Sequence, residues 1–138
     1  MAAELTTDQR QQLIAAARLV RERAHAPYSN FPVGAAILGA DNQIYVGCNV
    51  ENASLGLTVC AERAAVANAI AHGCREFAAL AVVADSDGGF ITPCGACRQV
   101  LAEFNADLPI ICCNDAGQSI DLKLNDLLPL RFEFGPNR

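Results

Sequence analysis

Thr58-Val59-Cys60-Ala61-Glu62-Arg63, running straight into Ala64-Ala65-Val66-Ala67-Asn68-Ala69-Ile70-Ala71, is the stretch from which the fold can be read. Its second half carries almost no charge and stops at His72 and Gly73. A helix is therefore expected over 60–72, buried on most sides and ended by the glycine. A helix of that kind belongs in the middle of a fold. Downstream, 77–84 is a continuous apolar run of strand length, as expected for a strand covered on both faces. A buried helix feeding a doubly covered strand points to a layered α/β protein.

Toward the N-terminus, Thr6 or Thr7 is suited to cap a helix whose Leu13, Ala16, Ala17, Val20 and Ala24 share one face. That helix is expected to end before Pro27. Pro27-Tyr-Ser-Asn-Phe-Pro32 reads as a loop delivering Tyr28 and Phe31. The apolar runs 33–38 and 44–50, separated by turn residues at 39–43, predict a β-hairpin. Toward the C-terminus, Thr92 is the expected N-cap of a further helix, with Pro93 in its first turn and Cys94, Cys97, Val100, Leu101 and Phe104 turned inward. A buried strand over 108–113, an alternating half-exposed strand over 119–124 and a turn capped by Asn125 follow. The tail carries Pro129, Phe132 and Phe134. The order α-β-β-α-β-α-β-β predicts one domain over 1–138, a three-layer α-β-α sandwich around a five-stranded mixed sheet.

With 138 residues, 52% of them hydrophobic and 18% charged, the chain is long and apolar enough to bury its own core. A net charge of −5 argues against a nucleic-acid partner, which needs a basic face to displace counterions. A small neutral substrate fits better. No apolar run is long enough to cross a bilayer, and Met1 to Arg10 lacks the basic start and apolar core of a secretory signal, so a soluble, cytoplasmic protein without a membrane partner is expected. Seven cysteines, two of them adjacent in an apolar run, suit metal binding by a spaced subset better than a disulfide framework.

Cys94 and Cys97, three apart at a helix start, suit two ligands of one metal, and helix N-terminal N–H groups favour their thiolates. Cys60 joins them if the two helices meet N-terminus to N-terminus. Thiolate ligands select zinc over magnesium or calcium. A structural zinc takes four protein ligands and a catalytic one takes three. Cys48, Cys74, Cys112, Cys113, His25 and His72 lack ligand spacing, but sequence leaves open whether one of them folds in. Glu62 is placed to move protons for a zinc-activated water. Arg63 either donates to the thiolates and offsets their charge, or is an exposed helix arginine. Asn49 and Glu51, two apart on a strand end, either clasp a hydroxyl from one side of the pleat or are solvated turn residues.

Cys60-Ala-Glu62 followed by Pro93-Cys-x-x-Cys97 matches the three-cysteine form of the zinc deaminase signature. Adding Ala26-Pro-Tyr-Ser-Asn-Phe-Pro-Val-Gly-Ala-Ala36 and Gly47-Cys-Asn-Val-Glu-Asn-Ala-Ser54, the chain resembles the small homotetrameric cytidine deaminases over nearly its full length. The resemblance implies one zinc per subunit on Cys60, Cys94 and Cys97. It implies hydrolysis of cytidine and 2′-deoxycytidine in pyrimidine salvage, with Glu62 as proton shuttle. It further implies Phe31 against the base, Asn49 and Glu51 on the ribose 3′-hydroxyl, the backbone of Ala61 and Thr92 around the base edge, and active sites shared between subunits. Leu55 stands where the family usually has Tyr, so a hydroxyl contact toward a neighbour's sugar is missing. The tail is two residues longer than its relatives between Pro129 and Gly135. Counting from Pro129 makes Phe132 the residue that reaches a neighbouring site, and counting back from Gly135 makes it Phe134; Phe132 is preferred because Pro129 fixes the chain nearest to it. Two other readings stay open: a deaminase of a modified or antibiotic nucleoside, and a zinc-stabilised interaction module in which Glu62 is only a helix residue.

Overall fold

The computed structural model describes residues 4–135, so residues 1–3 of the N-terminal reading and Pro136 of the tail lie outside the described residues. Helix α1 (Thr7–Arg21) precedes the hairpin β1 (Val33–Gly39) and β2 (Ile44–Cys48). Helix α2 (Ala61–Ala71), strand β3 (Phe77–Ala84), helix α3 (Gly95–Ala102), strands β4 (Pro109–Cys113) and β5 (Ser119–Lys123) and the one-turn helix α4 (Leu124–Leu127) complete the order. The five strands form one mixed sheet in the order β2-β1-β3-β4-β5, parallel only between β3 and β4. This is the expected three-layer arrangement.

Alternation along the strands sorts the core into two layers. Ile37, Leu80, Val82, Ile110 and Cys112 pack with Ala61, Ala65 and Ala69 of α2 and Leu101 of α3. Their neighbours Ala36, Leu38, Ala79, Ala81, Val83 and Ile111 pack with Leu13 and Ala17 of α1 on the opposite face. Two glycines bring the helices down onto the hairpin. A Cβ on Gly34 would lie 2.0 Å from the Ala17 carbonyl oxygen, and one on Gly47 would lie 2.3 Å from the Ala65 nitrogen and 2.6 Å from the Ala61 oxygen. Gly47 therefore lets the first turn of α2 rest on β2.

Several boundaries depart from the expectations. Thr6, not Thr7, caps α1, in a reciprocal capping box with Gln9. The helix stops at Arg21 rather than running on to Ala24, because the N–H groups of Arg23 and Ala24 turn to the carbonyls three residues back. Strand β2 ends at Cys48, not residue 50: Val50 bridges to His25 on one side and Val59 on the other. Helix α3 is capped by Cys94 rather than Thr92, whose hydroxyl accepts from Arg98 Nη2 at 3.2 Å. Cys94 is exposed, not inward. Strand β5 is an edge strand with only Leu122 partly buried, so its expected alternation is weak. Asn125 lies inside α4 and does not cap it. Helix α2 ends as expected, with Gly73 at φ +87°.

Candidate metal centre and active site

The N-termini of α2 and α3 meet, with Cys60 capping one and Cys94 capping the other. The sulfurs of Cys60, Cys94 and Cys97 all lie within 4.8 Å of one another. Three corners of a tetrahedron with metal–sulfur bonds of about 2.3 Å are about 3.8 Å apart, so a zinc ion fits the spacing with little adjustment. Among the described residues no other His, Cys, Asp or Glu joins the group. The six spare candidates therefore stay out, and three ligands leave a fourth position free for a small molecule.

The electrostatics of the group are those of a cation site. Burial works against ionising Cys94, yet hydrogen bonds from the Cys97 backbone and the neighbouring thiols, together with the Ala96 N–H, hold its pKa below the ordinary thiol value. Burial, then the negative charge of Glu62 and Cys60, pushes Cys97 upward. A divalent cation among the sulfurs removes that conflict by compensating all the negative groups at once. Arg63 already does part of this: its Nη2 lies 3.3 Å from Cys60 Sγ and 3.4 Å from the Thr58 carbonyl oxygen. Its hydrogen bonds to Cys60 and Cys97 hold it more firmly in the charged form. The reading of Arg63 as merely exposed is excluded, since its Nε is buried, without a hydrogen-bond partner among the described residues.

Glu62, in the first turn of α2, is 5% exposed. Burial raises its carboxyl pKa, against the opposing pull of its own backbone N–H and of Arg63. A buried carboxyl beside a metal site that holds its proton more readily than an exposed one is suited to accept a proton and pass it on. Ala61, wholly buried, precedes it at the helix start.

Asn49 and Glu51 lie beyond β2, yet both side chains reach the same loop. Asn49, 8% exposed, accepts from Val33 N–H at 2.8 Å and donates to the Phe31 carbonyl at 2.9 Å. Glu51 accepts from the N–H groups of Tyr28 and Ser29 at 3.0 and 3.1 Å and from the Ser29 hydroxyl at 2.5 Å. They are not solvated turn residues. They shape the 28–33 loop, in which Asn30 takes the left-handed φ of +55°. Phe31 is half-buried there. A carboxylate accepts about four hydrogen bonds and a primary amide donates two. Glu51 thus keeps one acceptor position on Oε2 and Asn49 one N–H.

Two residues just after Cys97, Arg98 and Gln99, hold the surrounding loops, although the sequence alone assigns them no role. Arg98 donates to the Pro93 carbonyl at 2.7 Å, the Leu127 carbonyl at 3.0 Å and Thr92 Oγ1, joining the cysteine loop to the end of α4. Gln99 grips the Phe132 backbone at both N–H and carbonyl, at 3.2 and 2.9 Å. Phe132 and Phe134 are 63% and 87% exposed. Leu55 starts the short 3-10 turn Leu55–Leu57 and is 68% exposed. The signal for Arg98 and Gln99 was their place one turn after a helix start, where a long polar side chain can reach back over the preceding loop.

Comparison with known proteins agrees with this geometry. Residues 7–113 match the family described as the cytidine and deoxycytidylate deaminase zinc-binding region. The chain is 50% identical over 123 residues to a cytidine deaminase of Sporosarcina psychrophila, covering 88% of this chain and 90% of the relative. It is 48% identical over 124 residues to one from Halalkalibacterium halodurans, covering 89% and 93%. Among solved structures, a cytidine deaminase from Burkholderia pseudomallei superposes with a TM-score of 0.85 at 48% identity, covering 93% of this chain and all of that one. One from Mycobacterium tuberculosis gives 0.77 at 41%, covering 90% and 97%.

Proposed function

Because the chain belongs to the cytidine and deoxycytidylate deaminase family, we propose that it is a zinc-dependent hydrolase that converts cytidine and 2′-deoxycytidine to uridine and 2′-deoxyuridine. One water is consumed and one ammonia released. The observation that carries this reading is the meeting of Cys60, Cys94 and Cys97 beside the buried Glu62. Zinc held by Cys60, Cys94 and Cys97 would supply the Lewis acidity that lets a water ionise at about pH 7.

The chain's own residues divide the remaining work. Glu62 takes one proton of the attacking water and returns it to N3 of the pyrimidine, then takes the second proton, from the hydroxyl left on C4, and hands it to the amine, which leaves as ammonia as the C4 carbonyl forms. Arg63 offsets the charge of the thiolates. Phe31 packs against the base, and backbone groups of Ala61 and Thr92 line the base edge. The free acceptor of Glu51 and the free N–H of Asn49 hold the sugar 3′-hydroxyl. A carboxylate so placed disfavours a phosphate beside it and a free base that leaves it unpaired.

The substrate is a small nucleoside and not a nucleic acid, in keeping with the net charge of −5. Among the described residues no helix is long and apolar enough to cross a membrane; our reading is a cytoplasmic enzyme of pyrimidine salvage. It assembles as a homotetramer with neighbours contributing to each site, Phe132 among the contributed groups. Exposed Val50, Leu55, Leu57 and Val59 around the Cys60 segment support this, and Pro129, which fixes the chain nearest to Phe132, favours Phe132 over Phe134.

The test is to incubate the zinc-loaded protein with cytidine and follow uridine formation, with light scattering for the assembly. Conversion by wild type is expected. A folded, zinc-loaded protein inactive on cytidine and 2′-deoxycytidine would overturn the reading.

A further inference from the structure

Ser29 stands between the two polar residues that follow β2 and the loop they shape. Its N–H donates to Glu51 Oε1 at 3.1 Å, and its hydroxyl lies 2.5 Å from Glu51 Oε2. The Phe31 N–H donates to that hydroxyl at 3.0 Å. An ionised carboxylate only accepts and an amide N–H only donates, so the direction of the chain is fixed: Phe31 N–H to Ser29 Oγ, and Ser29 O–H to Glu51. The Ser29 hydrogen bond heads the contacts that hold the Glu51 carboxyl below its usual range, keeping it ionised. At its other end the Phe31 residue is held by Asn49, which donates to its carbonyl at 2.9 Å. Phe31 is thus gripped at its N–H by Glu51 acting through Ser29 and at its carbonyl by Asn49.

We propose that Ser29 is a positioning residue that locks the sugar-hydroxyl clasp and the base-facing Phe31 into one unit. The proposal rests on the reading of Asn49 and Glu51 as the clasp. Glu51 has one acceptor position left on the oxygen that Ser29 also uses, so the direction in which that position points depends on Ser29. Without the hydroxyl the carboxylate rotates on its remaining contacts, whereas Phe31, though its N–H loses an acceptor, stays held at its carbonyl by Asn49, so the base contact changes little. Binding through the sugar hydroxyl then weakens, while the metal centre and Glu62, carried on other elements, are untouched. A serine that merely closed a local turn, accepting from the N–H two residues on, would affect folding without distinguishing substrates.

Steady-state kinetics of Ser29→Ala on cytidine and on 2′,3′-dideoxycytidine, which lacks the 3′-hydroxyl, separate the two roles. The expected result is a KM for cytidine raised about 3- to 10-fold, with kcat and the constants for the dideoxy analogue within about twofold of wild type. Ser29→Thr, which keeps the hydroxyl, restores the cytidine KM. An equal change for both substrates, a loss confined to kcat, or wild-type values throughout overturns the proposal. If Ser29→Ala does not fold, Ser29→Cys, with a weaker donor of similar size, carries the same comparison. Glu51→Gln is run alongside. If it fails to separate the two substrates while wild type is active, the clasp reading falls and this proposal with it. If it separates them and Ser29→Ala does not, only the role of Ser29 is refuted.

Discussion

At the scale of single residues the site is a division of charge. Three sulfurs and a carboxylate would repel one another, and two features make their proximity tolerable: a cation site among the sulfurs and a guanidinium at 3.3 Å from one of them. Glu62→Ala leaves the sulfurs in place, so the protein is expected to keep its zinc, measured by atomic absorption, while kcat for cytidine falls at least about 100-fold. Retention of most of the rate would remove the proton-carrying role. Arg63→Ala is expected to lower zinc affinity about 10- to 100-fold, read by competition with a chromophoric chelator, since it removes a donor to a ligand sulfur. Much of this was legible in sequence, because ligand spacing is local: Cys94 and Cys97 are three apart, and Glu62 is two from Cys60. The roles of Arg98 and Gln99 were not, since their partners at Leu127 and Phe132 are some thirty residues away and chosen by packing.

At the scale of elements, the close seat of α2 on β2 depends on a missing side chain. Gly47→Ala is expected to cost about 1–3 kcal/mol or more in chemical denaturation, because its Cβ would press on the backbone of the first turn of α2. The same variant displaces Cys60, so zinc binding should weaken with stability; a variant with wild-type stability and zinc affinity would contradict the contact. Strand β3 was read to the residue because burial on both faces leaves an unbroken apolar run. Element ends were read less well, for a common reason. Thr92 has the chemistry of an N-cap, but Arg98 takes its hydroxyl and the helix begins two residues later. The apolar run 44–50 reads as one strand, but at its end His25 and Val59 claim the backbone groups of Asn49 and Val50. Local preference yields wherever a distant partner satisfies the same atom.

At the scale of the whole molecule, α1 packs on the hairpin and β3 but reaches the β4–β5 edge of the sheet through charges. Arg10 pairs with Asp121 at 2.7 Å, and Arg21 pairs with Asp115 in the turn after β4. The Arg21 hydrogen bond holds the Asp115 carboxyl below its usual range, as Tyr45 does for Asp41. Carboxylates depressed in the folded state contribute fully above their unfolded value of about 3.9, and that contribution is lost as pH falls through the lower folded value. Tyr45 is the reverse case, pushed up to about 12 by Asp41. Its contribution is full below the unfolded value of about 10 and is lost as pH rises toward the folded one. Thermal melts across pH are therefore expected to show a plateau through the neutral range with decline on both sides. Asp115→Asn should flatten the acid limb and leave the alkaline limb unchanged; an unaltered acid limb would deny Asp115 that role.

The guanidinium of Arg98 spans the loop that carries two of the cysteines and the carbonyl that ends α4. Whatever settles that loop also settles the chain beyond Leu127, so metal occupancy and the order of the last segment are thermodynamically linked. Trypsin offers a readout, since Arg131 lies in that segment. Cleavage there should speed up when a chelator strips the zinc and slow again when zinc is restored, making the C-terminal segment a reporter, at a distance, of whether the centre is filled.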